Sequence, residues 1–252
     1  MLNIFNMDMR RLFRSKALYS CIAFLLTVSG TMILFGMLPD FAAATGSVGG
    51  ETDMMSTMMG VGMVFIILSI LFAIGISTDF SSGFSKNIFS RHTNPIRYIG
   101  GKLLSLTVIG AIAIIAHTAV SMLLFEFTGT GVSLTGGYLG LFAYLIEKIF
   151  VAGALAALIL MVYLFTRHIA LAMIIGVLVA TGTISSLLSV LGEYLEFSFI
   201  TDVSKYTISG LSGQANLEFQ GSVFITILIG SVLWAAVCSA LGAKALKRKD
   251  IL

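Results

Sequence analysis

The chain has 252 residues, of which 58% are apolar and only 11% are charged, and its mean hydropathy is +1.02. An ordinary soluble domain contains roughly 25% charged residues, which cover its surface with polar groups. The composition therefore excludes a water-soluble enzyme, a disordered chain and a nucleic-acid-binding protein. It predicts an integral membrane protein, with residues 1–252 forming a single transmembrane domain.

The N-terminal segment, residues 2–15, is predicted to be an amphipathic helix on the membrane surface. Its apolar side chains can enter the acyl region while Arg10, Arg11 and Arg14 bind anionic headgroups. The pair Arg10-Arg11 also resembles part of a twin-arginine export signal. The apolar run that follows is too long for such a signal, and further apolar stretches come after it, so we do not expect cleavage.

Six uncharged stretches follow, and each is close to the roughly 20 helical residues that cross a bilayer. Helices are expected because every backbone polar group in the hydrocarbon must be satisfied within its own segment. The predicted spans are residues 17–39, 54–78, 103–125, 149–166, 168–192 and 219–243.

A seventh span over residues 127–146 is the main alternative layout. That stretch is uncharged, but glycines interrupt it, and only Glu147 and Lys148 would separate it from the next span. Two residues are too few for a turn between antiparallel helices. We therefore expect the fourth span to begin between Gly137 and Tyr144 and to carry Glu147 and Lys148 in its outer part.

The basic residues predict the orientation of the chain in the cell membrane. With six spans and a cytoplasmic N-terminus, 13 of the 15 Lys and Arg residues lie on the inner side, and only Lys148 and Lys205 lie on the outer side. Short loops rich in Lys and Arg remain in the cytoplasm. The prediction is thus an all-α, multi-pass protein with six transmembrane helices and both termini in the cytoplasm.

The segment from residue 79 to residue 102, between the second and third spans, carries the strongest pattern. Phe80, Phe84 and Ile88 recur at four-residue spacing, which places them on one face of a short helix. One of the serines at 81–82 can serve as the N-cap of that helix.

A second helix is predicted to begin with Asn94 as N-cap and Pro95 at its first position, and to continue into the third span. The whole segment would form a basic, amphipathic element on the cytoplasmic side. It is either a docking element for a partner or a loop that only anchors the two spans.

These features resemble the permease (transmembrane) subunits of type-2 ABC exporters. Those chains have six spans and an N-terminal amphipathic elbow helix. After the second span they carry an acidic residue, a glycine-containing turn and a basic, proline-containing stretch that ends in Gly-Lys. The matching residues here are Asp79, Gly83, Lys86, Pro95, Gly101 and Lys102, and the tail Lys247-Arg248-Lys249-Asp250-Ile251 is similar to the basic end of that family.

The resemblance implies that the loop is a coupling helix that docks on a separate ABC ATPase. Two ATPase subunits and a second permease, either a copy or a paralogue, would complete the complex, with ATP and Mg bound by the ATPases and no cofactor or metal bound by this chain. The residues expected to couple to the ATPase are Asp79, Gly83, Phe84, Lys86, Ile88, Phe89 and Arg91.

The outer loop from residue 192 to residue 220 interleaves aromatic and acidic residues, which is typical of short helices at a membrane interface. The resemblance implies that this loop forms re-entrant helices that cap the exit. An ordinary exposed loop is the alternative. The expected outer-gate residues are Glu193, Tyr194, Phe197, Phe199 and Tyr206.

Three ionisable residues lie within predicted spans: His117, Glu147 and Lys148. Such groups are functional candidates by default, and a structural role is the alternative for each. Small residues in spans allow helices to approach closely. We expect this role for Gly75, Gly110, Gly153 and Gly176.

The function expected from these features is export of an amphipathic peptide, a lipid-like molecule or a drug. The chain contains no GxxxxGK[ST], HExxH or GxSxG motif, so we do not expect it to be an enzyme. An ion-driven secondary transporter or channel is an alternative, although such proteins usually show internal repeats and mid-membrane acidic residues. A membrane scaffold or sensor that transports nothing is another.

Overall fold

A computed structural model of the chain describes residues 2–36, 62–81, 95–127, 137–195 and 197–248. Within these ranges the regular structure is entirely helical. In chain order the helices are α1 (Leu2–Arg14), α2 (Lys16–Gly36), α3 (Gly62–Ser81), α4 (Pro95–Phe127), α5 (Gly137–Thr166), α6 (Ile169–Ala180), α7 (Thr183–Tyr194), α8 (Ser198–Lys205), α9 (Ile208–Gln214) and α10 (Gly221–Arg248).

Four helical segments of the described chain are long and apolar enough to cross a membrane. They are Gly62–Ser81, Ile96–Leu124, Gly137–Thr166 and Gly221–Leu246. The pair α6 and α7 makes a fifth if it counts as one span, although it is bent by 56°. Glycine accommodates this bend because Gly182 takes a φ of 76°, which side chains with a Cβ rarely adopt. Four or five apolar spans are the pattern of a multi-pass membrane protein.

Helix α5 runs without a break from Gly137 through Glu147 and Lys148 to Thr166. The helix has no turn at Glu147 and Lys148. This confirms that these two residues do not separate a span over residues 127–146 from the next one. The expected start of the helix near Gly137 is confirmed as well. The start of α4 at Pro95 also agrees with the prediction.

The end of α3 differs from the prediction. The helix continues to Ser81, so Asp79 and Phe80 belong to the last turn of a span and not to the following loop. A helical Ser81 cannot be the N-cap of a new helix, so that alternative is wrong, and the other candidate, Ser82, lies outside the described residues. The extra turn has a physical reason, because Asp79 and Phe80 both have partners in the bundle that hold this turn in place.

Helix α5 forms the centre of the bundle and contacts α3, α4, α6, α9 and α10. All residues from 151 to 160 are buried. A helix that is apolar on every side is stable only where protein or lipid surrounds it on every side. By contrast, α10 leaves many large apolar side chains exposed, among them Ile225, Ile229 and Leu233, as expected of a helix that faces lipid or another chain.

The predicted role of small residues is confirmed at helix contacts. A Cβ added at Gly176 of α6 would come within 3.0 Å of both Ile159 of α5 and Ser69 of α3. The absence of a side chain there lets three helices meet. Side chains of other helices also lie against Gly75, Gly110 and Gly153.

We predict that Gly176→Leu destabilises the bundle, because the new side chain must displace Ile159 and Ser69. Overpacking of this kind costs roughly 1–3 kcal/mol. Gly221→Leu is the matched control, since nothing lies within 4 Å of a Cβ added at Gly221. Thermal unfolding of both purified variants in detergent measures the effect, and equal unfolding midpoints would contradict the close contact at Gly176.

Candidate functional site

Four charged side chains meet where α1, α3 and α4 come together. They are Asp8 and Arg11 of α1, Asp79 of α3 and Lys102 of α4; with the hydroxyl groups of Tyr98 and Ser105, we call them the ion cluster. The side chains of Asp8, Asp79 and Lys102 are at most 4% exposed, whereas that of Arg11 is 33% exposed. Two carboxylates and two cations make the cluster neutral overall.

Lys102 lies at the centre of the ion cluster and contacts three oxygen atoms. Its Nζ donates to Oδ1 of Asp8 at 3.0 Å and to the backbone carbonyl of Gly75 at 2.8 Å. It also forms an ion pair with Oδ2 of Asp79 at 2.9 Å. This lysine is therefore surrounded by polar and anionic partners although it is removed from water.

Each carboxylate of the ion cluster contacts three side chains. Asp8 accepts from Arg11 at 3.0 Å, from Lys102 and from the hydroxyl of Ser105. Asp79 accepts from Arg11 and, at 2.9 Å, from the hydroxyl of Tyr98, and it forms an ion pair with Lys102. This arrangement satisfies the carboxylates inside the bundle.

Helical periodicity brings these residues to their positions. Ile4, Asp8 and Leu12 are all buried and recur every four residues, so they form the face of α1 that docks on the bundle. On α4, Tyr98, Lys102 and Ser105 occur at i, i+4 and i+7 and share one face in the same way. Gly75 and Asp79 stand one turn apart on α3.

Burial makes the ion cluster an all-or-none arrangement. Removing a charge from water costs several kcal/mol per ion, and only close partners with good geometry compensate for this cost. Removal of one partner then leaves an uncompensated charge in an apolar region. The ion cluster therefore acts as a rigid clamp between α1, α3 and α4, and not as a set of separate surface ion pairs.

A group of aromatic residues extends the clamp toward α5. The ring of Phe80 lies edge-on to Tyr98, with centroids 6.3 Å apart, and its centroid is 5.3 Å from that of Tyr163 on α5. The guanidinium of Arg167 stands 4.4 Å from the centre of the Phe80 ring, a favourable cation–π geometry. Asp79 and Phe80 thus bind the last turn of α3 to three other helices.

Several of the predicted site residues fall in or near the ion cluster. Asp79 and Lys102, which the resemblance singled out, contact each other directly. Arg11 pairs with Asp79 and Asp8 rather than standing free for headgroups, while Arg10 and Arg14 are exposed. The other expected coupling residues lie outside the described residues: Gly83, Phe84, Lys86, Ile88, Phe89 and Arg91.

Sequence reasoning missed three members of the ion cluster: Asp8, Tyr98 and Ser105. One signal was present, since Asp8 interrupts the apolar face that Ile4 and Leu12 define on an otherwise amphipathic helix. A charge on the apolar face of a helix indicates a buried partner. The identity of that partner could not be read from the sequence, because Lys102 is 94 residues away in the chain.

The expected outer-gate residues lie on the end of α7, on α8 and in the turns beside them. Glu193 is exposed, and the four aromatic side chains are more than half exposed: Tyr194, Phe197, Phe199 and Tyr206. The segment is tied to α10 by the indole of Trp234, which donates to the carbonyl of Tyr206 at 2.9 Å. Exposed aromatic residues on short helices suit a membrane–water interface.

The three polar residues predicted within spans are all buried: His117 on α4, and Glu147 and Lys148 on α5. Lys148 donates to Ser212 of α9. Within the described residues, Oε2 of Glu147 has no hydrogen-bond partner. Glu147 and Lys148 form no ion pair with each other, which agrees with the expectation that adjacent helical residues point to different sides.

Comparison with known protein families gives no match, and comparison with curated proteins gives none either. The chemistry of the candidate site therefore has to be inferred from its own residues.

We predict that Lys102→Met strongly destabilises the protein, because Arg11 is then the one cation among the described residues that pairs with Asp8 and Asp79. Loss of one member of a buried charge pair costs roughly 3–5 kcal/mol. Adding Asp8→Asn to this variant restores neutrality and should recover part of the loss. Chemical or thermal unfolding in detergent measures the three proteins.

Lys205→Met is the matched control for this experiment. Lys205 pairs with Asp202 at 2.9 Å, but both side chains are at least 60% exposed, and such pairs contribute little. The hydrogen bond to Asp202 raises the pKa of Lys205, so the control removes a full positive charge at neutral pH. Equal stability of Lys102→Met and Lys205→Met would contradict the clamp.

Proposed function

We propose that this chain is the permease subunit of an ATP-driven type-2 ABC exporter. The observation that carries the proposal is the ion cluster, which joins the end of α3 to the start of α4 and joins both to α1. Residues 82–94, the central part of the predicted coupling segment 79–102, connect these two helix ends in the sequence. The cluster therefore occupies the place where force applied to that segment would enter the transmembrane helices.

A rigid clamp at this place suits mechanical coupling. If the ends of α3 and α4 could bend separately, movement of the coupling segment would be absorbed locally. The ion cluster resists such bending, because separating Asp79 from Lys102 would remove one of the two carboxylates around Lys102 and one of the two cations around Asp79 in an apolar region. A push from an ATPase would thus displace α3 and α4 together, as rigid-body transitions require.

The six-span layout belongs to the same proposal. It counts α2, α3, α4, α5, the bent pair α6 and α7, and α10 as spans, with both termini in the cytoplasm. Helix α1 would be the elbow helix at the inner surface, with Arg10 and Arg14 available to anionic headgroups. The short helices α8 and α9 would then lie on the outer side, where the family has its exit cap.

The complex would contain two ABC ATPase subunits and a second permease, and ATP and Mg would bind to the ATPases. The export substrate would be an amphipathic peptide, a lipid-like molecule or a drug. This preference follows from the apolar interior of the bundle and from the resemblance to the exporter family. It is a statement about the class of substrate and not about one compound.

The first prediction of this proposal concerns topology. Reporter fusions at Thr52, Phe127 and Asp202 should report an outer location, and fusions at Ser90 and after Leu252 a cytoplasmic one. The physical reason is that 13 of the 15 basic residues then lie inside. An outer report at the C-terminus would contradict the six-span layout.

The second prediction concerns the coupling segment. Phe84→Asp should leave membrane yield unchanged but abolish co-purification with the ATPase subunit and ATP-dependent transport. Truncating a well-packed interface aromatic can cost about 2 kcal/mol or more, and the new carboxylate would also have to lose its water on docking. The purified chain alone should hydrolyse no ATP.

Phe127→Asp is the matched control, since this side chain is 86% exposed at the other end of α4. It should leave ATPase binding intact. If Phe84→Asp keeps both normal yield and full ATPase binding, the coupling role is wrong. If it lowers membrane yield while partner binding persists, the segment only anchors the spans.

A further inference from the structure

A cavity of about 450 Å³ lies at the opposite end of the bundle from the ion cluster. Gly62, the first residue of α3, lines it, whereas Asp79 lies about 25 Å further along that helix at 1.5 Å per residue. The cavity is enclosed by α3, α5, α9 and the bend between α6 and α7. Its size falls within the range of small-molecule binding sites.

The lining of this cavity is divided into apolar and polar parts. Phe65, Leu155 and Ile208 contribute apolar surface, while Thr181, Ser209 and Lys148 contribute polar groups. A ligand that matches both parts must itself be amphipathic. We call this space the Lys148 cavity, because that lysine is the one residue of its lining that carries a formal charge.

Lys148 is 3% exposed, and its hydrogen-bond partners in the described chain are neutral. The carboxylate of the adjacent Glu147 acts on it electrostatically, although the two groups form no ion pair. Its Nζ donates to the carbonyl oxygen of Ser212 at 2.7 Å and to the hydroxyl of the same residue at 3.2 Å. The ring centroid of Tyr144 lies 5.0 Å away, a weaker cation–π contact. Among the residues that the structure describes, no carboxylate lies within 4.0 Å of this ammonium group.

Lys102 provides the internal comparison. Both lysines are buried in apolar helices, but Lys102 has two carboxylates and a carbonyl as partners. A buried cation is expected to be paired with an anion. Among the described residues, the carboxylate that acts on Lys148 is that of Glu147, which lies more than 4.0 Å from the ammonium group. Lys148 also lines a cavity large enough to admit a closer anion.

We propose that the Lys148 cavity binds a single-chain anionic amphiphile, with the anionic head group at Lys148 and the apolar chain against Phe65, Leu155 and Ile208. The head group would occupy the place that Asp8 and Asp79 occupy around Lys102. The volume of the cavity favours one chain over the two chains of a phospholipid. Phosphate and carboxylate head groups share the chemistry that this site requires.

The proposal adds a ligand site to the proposed function without depending on the ATPase. Binding of an amphiphile is a property of the purified chain, whereas the permease role is tested by partner binding. A negative result for amphiphile binding would therefore not contradict the permease role, and a negative result for ATPase binding would not contradict the ligand site. Within an exporter, the site would hold a substrate near the outer side of the bundle.

Native mass spectrometry of the full chain tests the proposal, with dodecyl phosphate as the probe and dodecyl maltoside as the detergent. The detergent has the same chain with an uncharged head group, so it is a neutral competitor in large excess. We expect one dodecyl phosphate per chain. Lys148→Met should weaken binding at least about tenfold, because a hydrogen-bonded charge pair is lost, and Lys148→Arg should retain most of it.

Two control variants keep the result interpretable. Lys205→Met removes an exposed charge and should bind as the wild type does. Ala180→Phe fills the cavity and keeps Lys148, so it should also weaken binding. If Lys148→Met does not fold, Ala180→Phe replaces it as the test variant. Equal binding by the wild type and either Lys148→Met or Ala180→Phe, when the variant is folded, would overturn the proposal, as would no binding to the wild type.

Phosphatidic acid, which presents a phosphate on two chains, separates a membrane lipid from a single-chain ligand. We expect it to bind more weakly than dodecyl phosphate and without dependence on Lys148. Binding of phosphatidic acid as tight as that of dodecyl phosphate, and lost in Lys148→Met, would overturn the single-chain proposal in favour of a lipid site.

Discussion

Charge neutralisation away from water is the constraint on which this bundle depends. Lys102 occupies a span whose other residues are mostly apolar, and an ammonium group there requires anionic partners. Asp8 and Asp79 supply them from two other helices. Because Asp8 belongs to α1, the N-terminal helix has to dock against α3 and α4. One requirement of electrostatics thereby determines how three helices are arranged.

The two ends of the bundle accommodate a buried lysine in different ways. At one end, Lys102 is surrounded by oxygen atoms of Asp8, Asp79 and Gly75. At the other end, Lys148 contacts two oxygen atoms of Ser212 and lines a cavity. The first arrangement is suited to rigidity and the second to binding. In the proposed permease, the first would receive force and the second would be a site that a ligand can occupy and leave.

Local features of the structure were predictable from the sequence, because short-range rules determine them. Pro95 begins α4, since proline is favourable in the first turn of a helix. The unbroken α5 followed from the impossibility of a turn at Glu147 and Lys148. The end of α3 was not predicted, because its last turn is held by contacts of Asp79 and Phe80 with α1, α4 and α5, which lie far away in the chain.

Composition, apolar run lengths and charge distribution by themselves determined that this protein is helical and built for a membrane, because bilayer thickness and backbone hydrogen bonding leave few alternatives. The position of Lys148 within a predicted span also singled it out, whereas Asp79 and Lys102 were singled out by the family resemblance. Only the tertiary structure decided which of these charges have partners. Lys102 meets a carboxylate 94 residues away, whereas Lys148 meets neutral oxygens, and sequence periodicity carries no information about such distant pairings. That difference in partners separates the clamp from the ligand site.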